Sequence, residues 1–339
     1  MNDHATSDTY FQPRTIDELV KIQAAALGDQ PVLGYPFTGT DYVDYSLKQL
    51  HALASVAAEV YVKGGLKPRE SSDEEPLIVA LMGVSNIDYV ITLLAVSRLG
   101  HAVLLLSPRL ATTAYHHLLT TTDSSHLIFQ PGLATTAAEI RQELPNIVQI
   151  SIAHPLLHEI PSRPPINGES NPVPCLDLDR ERGNTAWIFH SSGSTGLPKP
   201  VRISHHGALS NYRRNIDRLG MRSFLSLPLF HTHGISTLFR AFFTGKQVHM
   251  YNASLPLTKK TLIESMRGLQ HEIFCAVPYA LKLLAESPEG IKHLKSFRLV
   301  TYGGSACPES LGNMLAEQGV NLVSVYGMYV MAFLSFHFS

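Results

Sequence analysis

Apolar positions recur along this chain in two alternating rhythms. From Leu47 to Val62 they fall at helical spacing, with Leu47, Leu50, Leu53, Ala54, Ala57 and Ala58 on one face, and Gly64-Gly65 ends the segment. Lys67 to Glu75 is charged and reads as a loop. Leu77 to Met82 is then a short unbroken apolar run, the pattern of a parallel strand covered on both faces. Helical spacing returns over Ile87 to Leu99 and stops at Gly100. Ala102 to Leu106 is a second covered strand, and Leu127 to Phe129 and Ile147 to Ile152 look like two more. Such alternation predicts repeated strand-helix-strand units and an α/β fold.

The rhythm breaks over residues 155–174, which hold six prolines. This stretch reads as a connector between two subdomains, about 15–154 and 175–328, preceded by a polar tail over 1–14. Strands are expected after it at Thr185 to Phe189, Phe224 to Leu227, Val248 to Tyr251, Ile273 to Ala276, Leu299 to Tyr302 and Leu322 to Val325. Helices are expected at His205 to Leu219, Leu257 to Leu269, Tyr279 to Ala285 and Pro308 to Gln318. The fold class that follows is two doubly wound sheets.

Composition narrows the picture modestly. The chain has 339 residues and is 45% hydrophobic, ample for a large core. A net charge of −1 leaves no electrostatic footprint for nucleic acid. Cys175, Cys275 and Cys307 stand far apart and suggest neither a disulfide framework nor a zinc site. Met1 to Tyr10 is polar and resembles no targeting segment, so a reducing, cytoplasmic setting is expected. The apolar tail Met331 to Ser339 is too short to span a bilayer. It reads as an accidental terminus, or alternatively as a hydrophobic anchor or packing strand.

Candidate chemistry concentrates just after the strand expected at Thr185 to Phe189. Ser191, Ser192, Gly193, Ser194, Thr195, Gly196 and Lys199 combine hydroxyl donors, glycines that turn backbone N–H groups inward, and one positive charge. Together they make a cradle for a phosphate-rich ligand. The order differs from a Walker loop, because Lys199 stands between Pro198 and Pro200. It also differs from a nucleophile elbow, because no glycine follows Ser194 by two residues. A solvated Gly/Ser linker would rarely carry a single lysine between two prolines. Gly303-Gly304 and Gly327 likewise follow expected strands, at the end of the sheet where α/β proteins bind ligands.

The loop resembles the phosphate-binding loop of the adenylate-forming superfamily, which includes acyl-CoA synthetases, luciferases and adenylation domains of peptide synthetases and carboxylate reductases. Leu227-Pro228-Leu229-Phe230-His231-Thr232-His233-Gly234 is similar to that family's next motif, near the acid pocket. Tyr302-Gly303-Gly304-Ser305-Ala306 is similar to its adenine-binding turn, and Tyr326-Gly327-Met328 to the opening of its α-phosphate and magnesium motif. Asp88 to Arg109 resembles an early helix-strand segment ending Leu106-Ser107-Pro108-Arg109. The wording of the motifs is closest to fungal reductase-type adenylation domains, and the likeness covers roughly Thr15 to Met328.

The resemblance implies ATP-dependent activation of a carboxylic acid to an acyl-adenylate, with CoA, a carrier domain or a reductase as acceptor. It implies that Ser191 to Lys199 holds the outer phosphates, that Gly303, Gly304, Ser305, Tyr326 and Gly327 surround the adenine, and that His231, Gly234, Val277, Tyr279 and Ala306 line the acid pocket. Ile235, Phe239, Phe242 and Pro278 join those walls, which suit an aryl or acyl acid. His190 stands at the mouth of the loop, where an imidazolium would help neutralise phosphate. The pair His231-x-His233 lacks a third metal ligand, and His116-His117 and His205-His206 read as surface helix residues.

The chain departs from the family where Thr-Glu is expected to bind phosphate and Mg2+. Tyr329 and Val330 stand there, so the metal's carboxylate ligand is missing, and the hinge and late lysine are not found. The expectation is a truncated adenylation domain with no intact catalytic set. Its alternatives are a non-catalytic nucleotide- or acid-binding remnant, or a subunit completed by a partner chain.

Overall fold

The computed structural model describes residues 11–152, 175–191, 196–214, 216–328 and 331–337, with side chains as far as Val325. Within it the chain forms strands β1 (Pro31–Thr38), β2 (Asp41–Ser46), β3 (Ile78–Met82), β4 (Ala102–Leu106), β5 (Ser124–Phe129), β6 (Val148–Ser151) and β7 (Thr185–His190). These are followed by β8 (Pro200–Ser204), β9 (Ser223–Leu225), β10 (Val248–Met250), β11 (Ile273–Ala276), β12 (Leu299–Tyr302), β13 (Leu322–Met328) and β14 (Met331–His337). One sheet has the order β6-β5-β3-β4-β7-β8, the other β14-β13-β12-β11-β9-β10-β1-β2. Both are parallel except at their β7–β8, β1–β2 and β13–β14 edges.

Strand alternation sorts the core into layers. Val79, Leu81, Val103, Leu105, Trp187 and Phe189 of the six-stranded sheet share one central core with Leu225, Val248, Ile273 and Cys275 of the eight-stranded sheet. Between the sheets lie α1 (Ile16–Leu27), α2 (Leu47–Lys63) and α3 (Ile87–Arg98). The odd-even partners of those strand residues, such as Ala80, Leu104 and Ile188, instead pack under α4 (Thr112–Thr122) and α5 (Ala134–Glu143). Covering both faces is why β3 and β4 read as unbroken apolar runs.

After the short α6 (Leu178–Glu181), the central layer receives α7 (His205–Arg213) and, beyond α8 (Ile216–Leu219), α9 (Thr232–Thr244). Phe224, Phe274 and Ala276 face away from it, toward α10 (Lys259–Met266), α11 (Pro278–Ala285), α12 (Pro288–Ser296) and α13 (Glu309–Glu317). Helix starts are fixed locally. Ser46 and Gln49 form a capping box on α2, and the Asn86 side chain accepts from the Tyr89 N–H at 3.0 Å on α3.

Three features differ from the sequence reading. The helix expected over His205 to Leu219 is two helices, because Arg214 adopts an extended conformation with ψ 135°. The sheets do not follow the chain order on either side of 155–174, a segment outside the described residues. The β1–β2 hairpin crosses into the eight-stranded sheet, with Leu33 opposite Val248, and β7–β8 crosses into the other, with Val103 opposite Trp187. Residues 331–337, expected as an apolar tail, form a strand antiparallel to β13.

Candidate functional site

The phosphate-loop candidate leaves the carboxyl end of β7 and returns as β8. Its neck is closed where the Ser191 N–H donates to the Lys199 carbonyl at 3.0 Å. Lys199 is exposed and Pro198 beneath it is buried. Gly196 has φ +96°, a conformation that favours glycine. Ser192, Gly193, Ser194 and Thr195 lie outside the described residues.

His190 anchors the base of this loop. Its Nε2 accepts from the Ser107 N–H at 3.2 Å, just past the end of β4, and the Tyr115 hydroxyl donates to the Ser107 carbonyl at 2.8 Å. The ring is buried, and desolvation pushes its pKa down to about 4, with His231 adding to the shift. A neutral ring accepting a backbone hydrogen bond replaces the imidazolium expected for phosphate neutralisation. His205 is corrected in the same way: it is buried rather than on the surface, and its Nδ1 accepts from the Ile16 N–H at 3.2 Å.

The second motif runs from β9 into α9. The Leu229 N–H donates to Ser85 Oγ at 2.7 Å, tying this segment to the carboxyl end of β3 and so to the other sheet. Gly234 is required by close approach, since a Cβ there would stand 2.1 Å from the Pro228 carbonyl oxygen. That turn leaves His231 exposed before the helix and carries His233 inward. A Cβ on Gly303 would stand 3.1 Å from His233 Nδ1 and 2.9 Å from the Val325 carbonyl oxygen. The adenine-turn candidate therefore rests directly on the second motif. Gly304 follows with φ +86° and lies beside Val277.

Other candidate positions separate. Ser305 and Ala306 are exposed, as is Tyr279, while Val277 is half-buried. Tyr326 and Gly327 continue β13, and Val330 lies outside the described residues. Ile235, Phe239 and Phe242 do not line a pocket but belong to the central core. Phe239 stacks on Tyr212 with centroids 5.2 Å apart and lies 5.7 Å from Trp187. Two residues escaped sequence reasoning. Ser85 carried no signal, whereas Arg240 did, as the lone charge in the run Ile235 to Phe243. Among the described residues, no group of three His, Cys, Asp or Glu could hold a metal ion. No helix of the described residues is long and apolar enough to cross a membrane.

The family model for AMP-binding enzymes matches residues 20–335. The chain is 30% identical over 265 residues to an adenylate-forming reductase of Aspergillus terreus, a match covering 74% of this chain and 24% of the relative. Among solved structures, the luciferase-like enzyme of the Zophobas morio mealworm superposes with a TM-score of 0.74 at 19% identity, covering 94% of this chain and 74% of that one. The o-succinylbenzoate CoA synthetase of Bacillus subtilis in complex with AMP gives a TM-score of 0.72 at 20% identity, covering 95% and 60%. The chain spans about a quarter of the length of the curated relatives it matches first. It belongs to the AMP-binding enzyme family.

Proposed function

Starting from that membership, we propose that this chain binds an adenine nucleotide and an aryl or acyl carboxylic acid at the carboxyl ends of β7, β9, β11, β12 and β13. The observation that carries the reading is the convergence of three motif segments: His190 on Ser107, His233 beneath Gly303, and Gly304 beside Val277. In acyl-adenylate formation, a carboxylate oxygen forms a bond to the α-phosphorus of ATP while the α–β phosphoanhydride bond breaks and pyrophosphate leaves. The protein's part is to align the reactants and spread the developing charge. Backbone N–H groups and hydroxyls of Ser191 to Gly196, with Lys199, would hold the outer phosphates. Gly303, Gly304 and Ser305 would let the adenine plane approach the backbone, continued by Tyr326 and Gly327. His231, Val277, Tyr279 and Ala306 would border the acid.

Mg2+ does not fit the residues present. Val330 offers no side-chain oxygen at the position where the resemblance places the carboxylate. We therefore favour nucleotide and acid binding over efficient transfer for this polypeptide. Acceptor thiols, from CoA or a carrier, belong to the same proposal, as does a reducing cytoplasmic compartment suited to three free cysteines. Calorimetry with ATP and AMP tests the binding reading, and Lys199→Ala is expected to weaken ATP more than AMP. Equal losses would remove Lys199 from the outer phosphates. Acid-dependent pyrophosphate exchange over a panel of aryl and fatty acids tests transfer, and robust exchange would restore the enzyme reading.

A further inference from the structure

Helix α9 carries a buried arginine whose Nε has no hydrogen-bond partner among the described residues. His233, Thr237 and Arg240 fall at positions i, i+4 and i+7, so they share one face of the helix. The Thr237 hydroxyl donates to the His233 carbonyl at 2.9 Å. Arg240 is only 6% exposed, and its Nε is buried with no hydrogen-bond partner. The groups acting on it electrostatically are the Cys275 thiol and the Tyr212 hydroxyl, with no described carboxylate among them. Two other buried arginines contrast with it: Arg69 pairs with Glu181 and Arg98 with Asp17.

A guanidinium keeps its charge when buried, and leaving such a charge uncompensated is strongly unfavourable. His233 adds a second unsatisfied atom on the same face, because its Nδ1 is also buried without a partner. This face is continuous with the site already described, since His233 Nδ1 is the atom nearest the Gly303 turn among side chains. A positive, donor-bearing face that adjoins a ligand site and holds two buried atoms without partners among the described residues calls for a complement from the ligand.

We propose that Arg240 forms the polar end of the acid-binding site, with His233 toward the reacting carboxylate, and selects carboxylic acids bearing a second oxygen acceptor remote from that carboxylate. The proposal rests on the acid-binding reading above. The size of the acid follows from the helix. Seven residues advance about 10 Å along the axis, and helical side chains lean back toward the N-terminus, which shortens the span. The second oxygen, as hydroxyl, oxo or carboxylate, therefore lies about one aromatic ring or a short aliphatic chain from the carboxylate that reacts.

Two shape-matched pairs of acids test this by calorimetry on the full chain in the presence of AMP: 4-hydroxybenzoate against 4-methylbenzoate, and adipate against heptanoate. The oxygen-bearing member should bind more tightly, by about tenfold or more, as expected for a charge-assisted hydrogen bond in a buried site. Arg240→Met should abolish that preference and leave the ligand-free chain as stable as before or more so, because an unpaired buried charge is removed. Equal binding within the pairs by the wild-type chain overturns the proposal and leaves the acid-binding reading standing. An unchanged preference in Arg240→Met, with lost stability, also overturns it by marking Arg240 as structural. AMP binding with no acid bound at all overturns both readings. Should Arg240→Met fail to fold, Arg240→Gln and the wild-type preference still decide.

Discussion

Single histidines carry much of the pH response of this chain. Burial depresses His101, His190 and His205 to about 4, chiefly by desolvation, so all three are neutral in the folded state. An unfolded histidine takes up its proton near pH 6.5. Below that value the unfolded chain binds more protons than the folded one, so stability present above about pH 6.5 is lost as the pH falls toward about 4. Each such histidine adds a slope of up to about 1.4 kcal/mol per pH unit. His205→Asn keeps an acceptor near the Ile16 N–H and removes one titrating group. Urea midpoints at pH 7.5 and pH 5 should therefore differ less in that variant than in the wild type. Gly234 is the complementary case, where chemistry is irrelevant and space decides. Gly234→Ala forces backbone movement against Pro228 and should destabilise by about 1–3 kcal/mol, seen as a lower Tm. It should also weaken AMP binding, because the turn that aims His233 at Gly303 is displaced.

At the scale of elements, α9 separates what periodicity can tell from what it cannot. Its run from Ile235 to Phe243 was visible as apolar, but which of those side chains meet solvent, ligand or core depends on the sheet and on α7 packed against it. Phe239 was therefore legible as apolar and illegible as core. Phe239→Ala should cost about 3–5 kcal/mol of stability in a denaturant titration, while Phe239→Leu should leave relative affinities among acids unchanged. A shifted acid profile in the Leu variant would return Phe239 to the pocket wall. Strands β3, β4 and β11 were readable because both their faces are apolar. The β1–β2 hairpin was not, since its exposed face mixes Phe37, Val43 and acidic residues. The Thr-rich α4 has weak intrinsic propensity and is held by burial of Tyr115, Leu118 and Leu119, a tertiary cause. The order of the ligand loops was legible; their contacts, such as Ser85 with Leu229, were not.

For the whole molecule, the exchange of β1–β2 and β7–β8 between sheets decides how the chain comes apart. Each sheet draws strands from both sides of residues 155–174, and a single central core joins them. Two polypeptides, 1–160 and 175–339, should each fail to give a cooperative unfolding transition alone, and mixing them should restore one. Independent transitions in either fragment would contradict the shared core. The same exchange sets a schedule for synthesis. Residues 31–46 leave the ribosome long before Val248, the partner of Leu33. At about 5–20 residues per second this is a wait on the order of ten seconds or more. Throughout it, a hairpin with an open edge and an exposed Phe37 lacks the neighbour that protects it, so the nascent chain is a natural client for a chaperone that shields strand edges.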